Sequence, residues 1–195
     1  MASTLKINNL DTASGTTITI PTGKTLVGTD EGTIRTPGAV LQVKQSVLTG
    51  TATYNNSASV SDIAGLAVTI TPKSTSSKIL ITFQISYSTT SDGCGNLIQL
   101  QRGSTNLGGA SSGTVFNGVT GVVNNHDQPN NTGQLYQTSG EFLDSPSTTS
   151  ATTYKLRHYG VGGTTPFVLN KNESGQLGGI STVSYTHLRA HETHE

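Results

Sequence analysis

Apolar and polar side chains alternate along most of this chain with a period of two residues, not the 3.6 of a helix. Over residues 78–88, Ile79, Ile81, Phe83, Ile85 and Tyr87 fall on one face and Thr82, Gln84 and Ser86 on the other, which predicts a strand with one buried side. Leu66, Val68 and Ile70 are in phase just before it, and the polar run Pro72-Lys-Ser-Thr-Ser-Ser77 separates the two, so the pattern predicts a hairpin. Further strands are predicted at 40–48, 51–54, 96–102, 134–143, 152–161 and 167–169, with a last one opening at 179–182. Clusters of Gly, Asn, Ser and Pro lie between them. Roughly eight to ten short antiparallel strands in one stretch fit a single two-sheet sandwich.

The first 36 residues read differently. Short apolar groups (Leu5/Ile7, Leu10, Ile18/Ile20, Leu26/Val27, Ile34) are separated by turn residues such as Pro21-Thr22-Gly23, and they are too few to bury a core of their own. Such a segment needs partner chains, or else it is a loose arm. The Pro-Gly turn in Arg35-Thr-Pro-Gly-Ala39 marks the boundary with the sandwich.

Composition supports the all-β reading. Ser and Thr number 22 and 33 of 195 residues, Trp is absent, and only 11% of residues are charged, so the usual surface-helix formers are scarce. Eleven basic and eleven acidic residues balance, which argues against nucleic acid or an anionic membrane surface as partner. No run approaches the ~18 apolar residues of a membrane span, and the first residues lack the apolar stretch of a signal peptide, so the expectation is a protein made in the cytoplasm without membrane insertion. A single cysteine, Cys94, excludes an intrachain disulfide; it reads as a small buried filler before a reactive thiol.

The search for chemistry finds no GxSxG, HExxH or phosphate-binding loop, and hence no catalytic residues and no cofactor. Glu141 and Asp144 would be a glycosidase pair if they flanked a sugar bond, but two solvated charges beside the turn at Ser145-Pro146 is the plainer reading. His158 is in phase with Tyr154 and Leu156, so the three are expected on an inward face or a trimer seam, whereas Arg157 and Tyr159 point the other way, where they suit a subunit contact or sugar stacking. Amides, an imidazole and a carboxylate crowd the loop Asn124-Asn125-His126-Asp127-Gln128-Pro129-Asn130, groups that hydrogen-bond sugar hydroxyls, against the plainer reading of a flexible Asn-rich loop. Three Asn-x-Ser/Thr sites have no secretory signal ahead of them and read as chance matches.

Two resemblances extend these readings. Val183-Ser-Tyr-Thr-His-Leu-Arg-Ala-His-Glu-Thr193 resembles, residue for residue, the in-frame translation of a transposase-type sequencing adapter, and three of the five histidines lie in this end segment. Residues 183–195 are therefore expected to be a non-native tail, and His187, His191 and His194 are not counted as a metal site.

The second resemblance is carried by Gly38-Ala-Val-Leu-Gln-Val43, Val68-Thr-Ile-Thr-Pro72 with the strand opening Lys78-Ile-Leu-Ile81, Thr153-Tyr-Lys-Leu156 and Leu177-Gly-Gly-Ile-Ser-Thr182. These segments are similar to the C-terminal head of tail-fibre or tail-tip proteins of marine bacteriophages. The likeness implies a C1q/TNF-like jelly-roll head over 37–182 that trimerises, with its last strand beside its first, and a β-structured stem over 1–36 that joins other tail proteins. It also implies a virion location and contact with a host-surface glycan or protein. Asn124, Asn125, His126, Asp127 and Asn130 are then the expected receptor contacts, and Tyr154, Leu156 and His158 the expected seam of the homotrimer. A bacterial C1q-like adhesin and a glycan-depolymerising tail spike are the alternatives.

Overall fold

The computed structural model describes residues 21–25, 27, 40–55, 60–89, 95–108, 120–123, 135–161, 166–172, 175 and 178–188. The chain divides between Arg35 and Thr36 into two compact units. In the first, the Lys24 amide donates to the Pro21 carbonyl at 3.0 Å, closing the turn expected there.

The described part of the second unit is all β: β1 (Val40–Leu48), β2 (Ala52–Tyr54), β3 (Val60–Ile70), β4 (Lys78–Thr89), β5 (Gly95–Arg102), β6 (Thr105–Leu107), β7 (Thr120–Val123), β8 (Tyr136–Asp144), β9 (Thr152–Val161), β10 (Phe167–Leu169) and β11 (Ser181–Leu188). Every pairing is antiparallel. Leaving aside the short β2, β6 and β10, the main strands lie in the orders β1-β11-β4-β8 and β3-β9-β5-β7. Counted along the chain, that is first-eighth-third-sixth facing second-seventh-fourth-fifth, the double Greek key of a jelly roll. The first and last strands are neighbours, paired from Val40↔Leu188 to Leu48↔Ser181.

The core lies between the two sheets. Ile79, Ile81, Phe83 and Ile85 of β4 meet Leu66, Val68 and Ile70 of β3, Ile98 and Leu100 of β5, and Leu156 of β9, all buried. The expected inward face of β4 is thus the observed one. Gly140 of β8 stands opposite Phe83, and a Cβ there would lie 2.5 Å from the Phe83 ring, so the glycine makes room for the aromatic side chain.

Three expectations are corrected. β3 and β4 are not a hairpin: β3 pairs with β9 and β4 with β8, β10 and β11, so the run 72–77 carries the chain from one sheet to the other. β3 also starts earlier than predicted. Between Asp62↔Arg157 and Ala67↔Lys155 four of its residues oppose one of β9, and this bulge turns both Ile63 and Leu66 inward although they are three apart. Gly65 supplies the left-handed backbone (φ 85°) that the bulge requires, the Ala64 amide donates to the Tyr54 hydroxyl at 2.9 Å, and the Ser46 hydroxyl donates to the Gly65 carbonyl. Finally, β6 and β7 were not foreseen, since each is too short to show a period.

Where β11 ends alongside β4 and β10 takes over its lane, the ladder is interrupted, and a buried polar cluster closes the gap. The Ser86 amide donates to the Ser181 hydroxyl at 3.1 Å, and the Asn170 amide donates to the Ser86 carbonyl at 2.9 Å. Asn170, itself left-handed (φ 59°), sends its side-chain nitrogen to the carbonyls of Leu48 and Gly50 at 2.6 and 2.8 Å, while its side-chain oxygen accepts from Ser181 at 2.8 Å.

β11 crosses position 183 without a break, and Val183 and Tyr185 are fully buried. The Tyr185 ring packs on Tyr154 at 5.3 Å, but its hydroxyl has no hydrogen-bond partner among the described residues. Asn170→Ala should cost about 1–3 kcal/mol, because it leaves the buried Ser181 hydroxyl without its acceptor, removes the two bonds to the Leu48 and Gly50 carbonyls and keeps a left-handed backbone that alanine disfavours. Tyr185→Phe, which removes an unpartnered hydroxyl, should raise stability by about 1 kcal/mol. Denaturant midpoints measured for both variants check these opposite signs.

Candidate functional site

Strand alternation decides where each candidate side chain stands. Asn124, Asn125, His126, Asp127 and Asn130 lie outside the described residues, as do Cys94, His191 and His194. Among the described residues no group of three His, Cys, Asp or Glu side chains could hold a metal, and no helix is long and apolar enough to cross a membrane.

Tyr154, Leu156 and His158 do form one inward row on β9, but all three are completely buried inside the sandwich of a single chain. They have no surface left to offer a second copy, so the expected trimer seam is not here. The phase of β9 was read correctly; its inward face meets the opposite sheet instead of a neighbour.

His158 is a core histidine. Its ring lies flat on Phe167 of β10, centroids 4.5 Å apart and planes 7° apart, with Tyr54 of β2 at 5.9 Å. Nε2 donates to the side-chain oxygen of Asn96 at 2.7 Å, which leaves Nδ1 unprotonated and without a partner among the described residues. Burial penalises the imidazolium and pulls the pKa from 6.5 down to about 4.

Glu141 and Asp144 face opposite ways. Glu141 is exposed opposite Thr82, whereas Asp144 is buried opposite Ile79. Two solvated charges therefore describes only Glu141. Both oxygens of Asp144 accept from Arg102 Nη1, at 2.6 and 2.7 Å, and Oδ2 also accepts from the Tyr154 hydroxyl at 2.6 Å. Arg102 and Tyr154 belong to one sheet and Asp144 to the other, so the cluster clamps the two layers together at one end of the sandwich. Burial first, and then the Asp144 carboxylate, push the Tyr154 hydroxyl far above its ordinary range. Both oxygens of this carboxylate are thus taken up by Arg102 and Tyr154, and its partner in the suspected glycosidase pair is on the other side of the strand.

The outer faces of the two sheets differ in kind. On β1-β11-β4-β8 three cross-strand rows run Val43–Thr186–Leu80–Leu143, Gln45–Ser184–Thr82–Glu141 and Val47–Thr182–Gln84–Ser139. Glu141 is the only charged position among them, and Val43 (60% exposed), Leu143 (54%) and Val47 (43%) stand open to solvent. On β3-β9-β5 the rows are Val60–Tyr159–Leu97, Asp62–Arg157–Gln99 and Ala67–Lys155–Gln101. Here Asp62 accepts from Lys155 Nζ at 2.6 Å and from Arg157 Nε at 2.8 Å, and the Lys155 hydrogen bond leads in holding its carboxyl below the ordinary range. Sequence periodicity placed Arg157 and Tyr159 outward, but it carried no sign of Asp62, which lies on another strand just before the bulge.

The fold thus defines an eight-stranded jelly roll whose outer faces carry different charged groups, Glu141 and Lys78 on one and the Asp62–Lys155–Arg157 cluster on the other. The chain matches no protein-family model and no curated protein. Among solved structures it is similar to the structure of infectious bursal disease virus Gx strain, at 14% sequence identity and a TM-score of 0.36, over 84% of this chain and 45% of that one. The chain thus spans less than half the length of that solved chain.

Acid should destabilise the protein through His158. Its folded pKa of about 4 lies below the unfolded value of 6.5, so between those values the unfolded chain binds the extra proton. Stability present above pH 6.5 is lost as pH falls towards about 4, by up to roughly 3 kcal/mol for a shift of this size. In urea titrations from pH 7.5 to 4, His158→Phe should flatten that slope.

Proposed function

We propose that this protein is a structural component of a phage virion, a tail-fibre or tail-tip protein whose jelly-roll head works as a homotrimer at the host surface. The observation that carries the reading is the outer face of β1-β11-β4-β8. This face has Glu141 and Lys78 as its charged groups and leaves Val43, Val47 and Leu143 of β1 and β8 exposed, apolar area that a second copy would cover. Each Å² of apolar surface buried there contributes about 25 cal/mol. Placing the seam on this face replaces the inward row of β9, which a single chain already consumes.

The segment before Thr36, with its sparse apolar groups, is the stem that meets other tail proteins, and the loop at 124–130 is a contact for a host glycan or protein. The reading assigns no catalysis: Asp144 is committed to Arg102 and Tyr154 and faces away from Glu141, which speaks against that pair as a glycosidase couple. Residues 183–195 we take as non-native. The unpartnered Tyr185 hydroxyl supports this, being the kind of misfit expected of a strand that was not selected for its slot.

Light scattering tests the assembly. The expected mass is about three times the 20.2 kDa of the chain, and a single-chain mass overturns the fibre reading. In the trimer, Val43→Asp with Val47→Asp should bring the mass down to that of one chain while the far-ultraviolet β signal persists. A trimer unaffected by both charges would place the seam elsewhere.

A further inference from the structure

We propose that the outer face of the β3-β9-β5 sheet carries a binding site for a carboxylated sugar, built on Arg157, Lys155 and Asp62. This deepens the host-contact reading above and takes its biological setting from it, adding to the loop a contact on the outer face of one sheet.

The site is laid out by the pairing of three strands. Asp62, Arg157 and Gln99 are direct cross-strand partners, so a carboxylate, a guanidinium and an amide stand in one row. Arg157 Nε donates to Asp62 at 2.8 Å and Nη1 to the Gln99 side-chain oxygen at 3.3 Å, while Lys155 Nζ reaches the other Asp62 oxygen at 2.6 Å. Two cations thus share one carboxylate, and the cluster keeps one positive charge in surplus. Its ion pairs are partly open to water, with the side chains of Asp62, Lys155 and Arg157 52%, 27% and 21% exposed, while Gln99 at the end of the row is buried. The next row sets the half-buried Tyr159 between Val60 and Leu97, an apolar strip of the kind that receives the C–H face of a sugar ring.

These features select the ligand class. A planar guanidinium already oriented by a carboxylate is matched to a second carboxylate. One surplus charge answers one acid group per sugar, whereas a nucleic-acid backbone needs several phosphates neutralised along its length. Asp62 then acts as a placeholder that orients both cations and competes with the incoming acid. That role has a signature which a merely structural ion-pair cluster lacks: removing the Asp62 charge should strengthen binding.

The test is calorimetric titration of the full chain with oligogalacturonate, with a neutral galactose oligomer of equal length and a single-stranded oligonucleotide as controls. The acid sugar should bind with an affinity that falls as salt rises, and the two controls should not. Arg157→Gln should weaken binding about tenfold and Asp62→Asn should tighten it about threefold. Thermal melts confirm that both variants fold, as expected for partly exposed ion pairs. Silence towards the acid sugar, equal binding of either control, or weaker binding by Asp62→Asn would each overturn the proposal. The mass of the same sample separates the two readings: a trimer that ignores galacturonate loses only this site, and a single chain that binds it loses only the fibre.

Discussion

The fold depends on a break in one sheet that must be closed without water. β1 and β11 occupy lanes that β2 and β10 continue further along, and at the change-over the carbonyls of Leu48 and Gly50 and the backbone amide and carbonyl of Ser86 are met by Asn170 and Ser181. Buried peptide groups left unpaired would cost as much as the hydrogen bonds they lack. Asn170 and Ser181 fill the gap, each bonding in more than one direction, and Asn170 accepts a left-handed backbone to do so. With the lanes joined, β2 and β10 are held where Tyr54 and Phe167 can enclose His158, and the end of the sandwich shuts over an imidazole kept neutral by burial.

The second fixed point is the Arg102–Asp144–Tyr154 clamp. It holds β5 and β9 against β8, while the packing of Tyr154 on Tyr185 extends the link to β11. A buried ion pair of this kind yields less net stability than its short distances suggest, because both charges must be desolvated. What it does supply is registry, since a one-residue slip of β8 would turn Asp144 outward and leave Arg102 alone. The two sheets are thereby fixed relative to each other, and their outer faces are presented on a rigid support.

Strand periodicity made most of the sandwich legible. β1, β4 and β9 run where alternation placed them; β4 and β9 each turn one face into the core, whereas β1 has no fully buried residue. The misreadings have physical causes. The polar run 72–77 has the composition of a hairpin turn, and nothing local tells whether the next strand returns to the same sheet. Ile63 is out of phase with Leu66, so the bulge at Gly65 hid the first half of β3. Tyr154, Leu156 and His158 were rightly grouped on one face, but a single chain carries no local mark of whether that face meets its own second sheet or another copy. Asp144 looked solvated because Arg102, its partner, is 42 residues away. The Asn170–Ser181 cluster was invisible for the same reason: neither residue type signals burial by itself.

The scarcity of charge gives its placement meaning. With eleven residues of each sign in the whole chain, a random scatter would leave few close groups on any face. Asp62, Lys155 and Arg157 converge from two strands into one ion-paired cluster on one outer face, while Glu141 and Lys78 stand apart from each other on the opposite outer face. In the proposed homotrimer this division has a use. A face meant for a copy of itself must keep charges few, because every charge taken from water into a seam needs a partner there. The face left towards solvent keeps the charged groups, which hold water, prevent further sheet stacking and are free to meet an oppositely charged ligand. The jelly roll makes such a separation available: it has two outer faces on opposite sides of one core, and strand alternation gives each outward residue to the outer face of its own sheet.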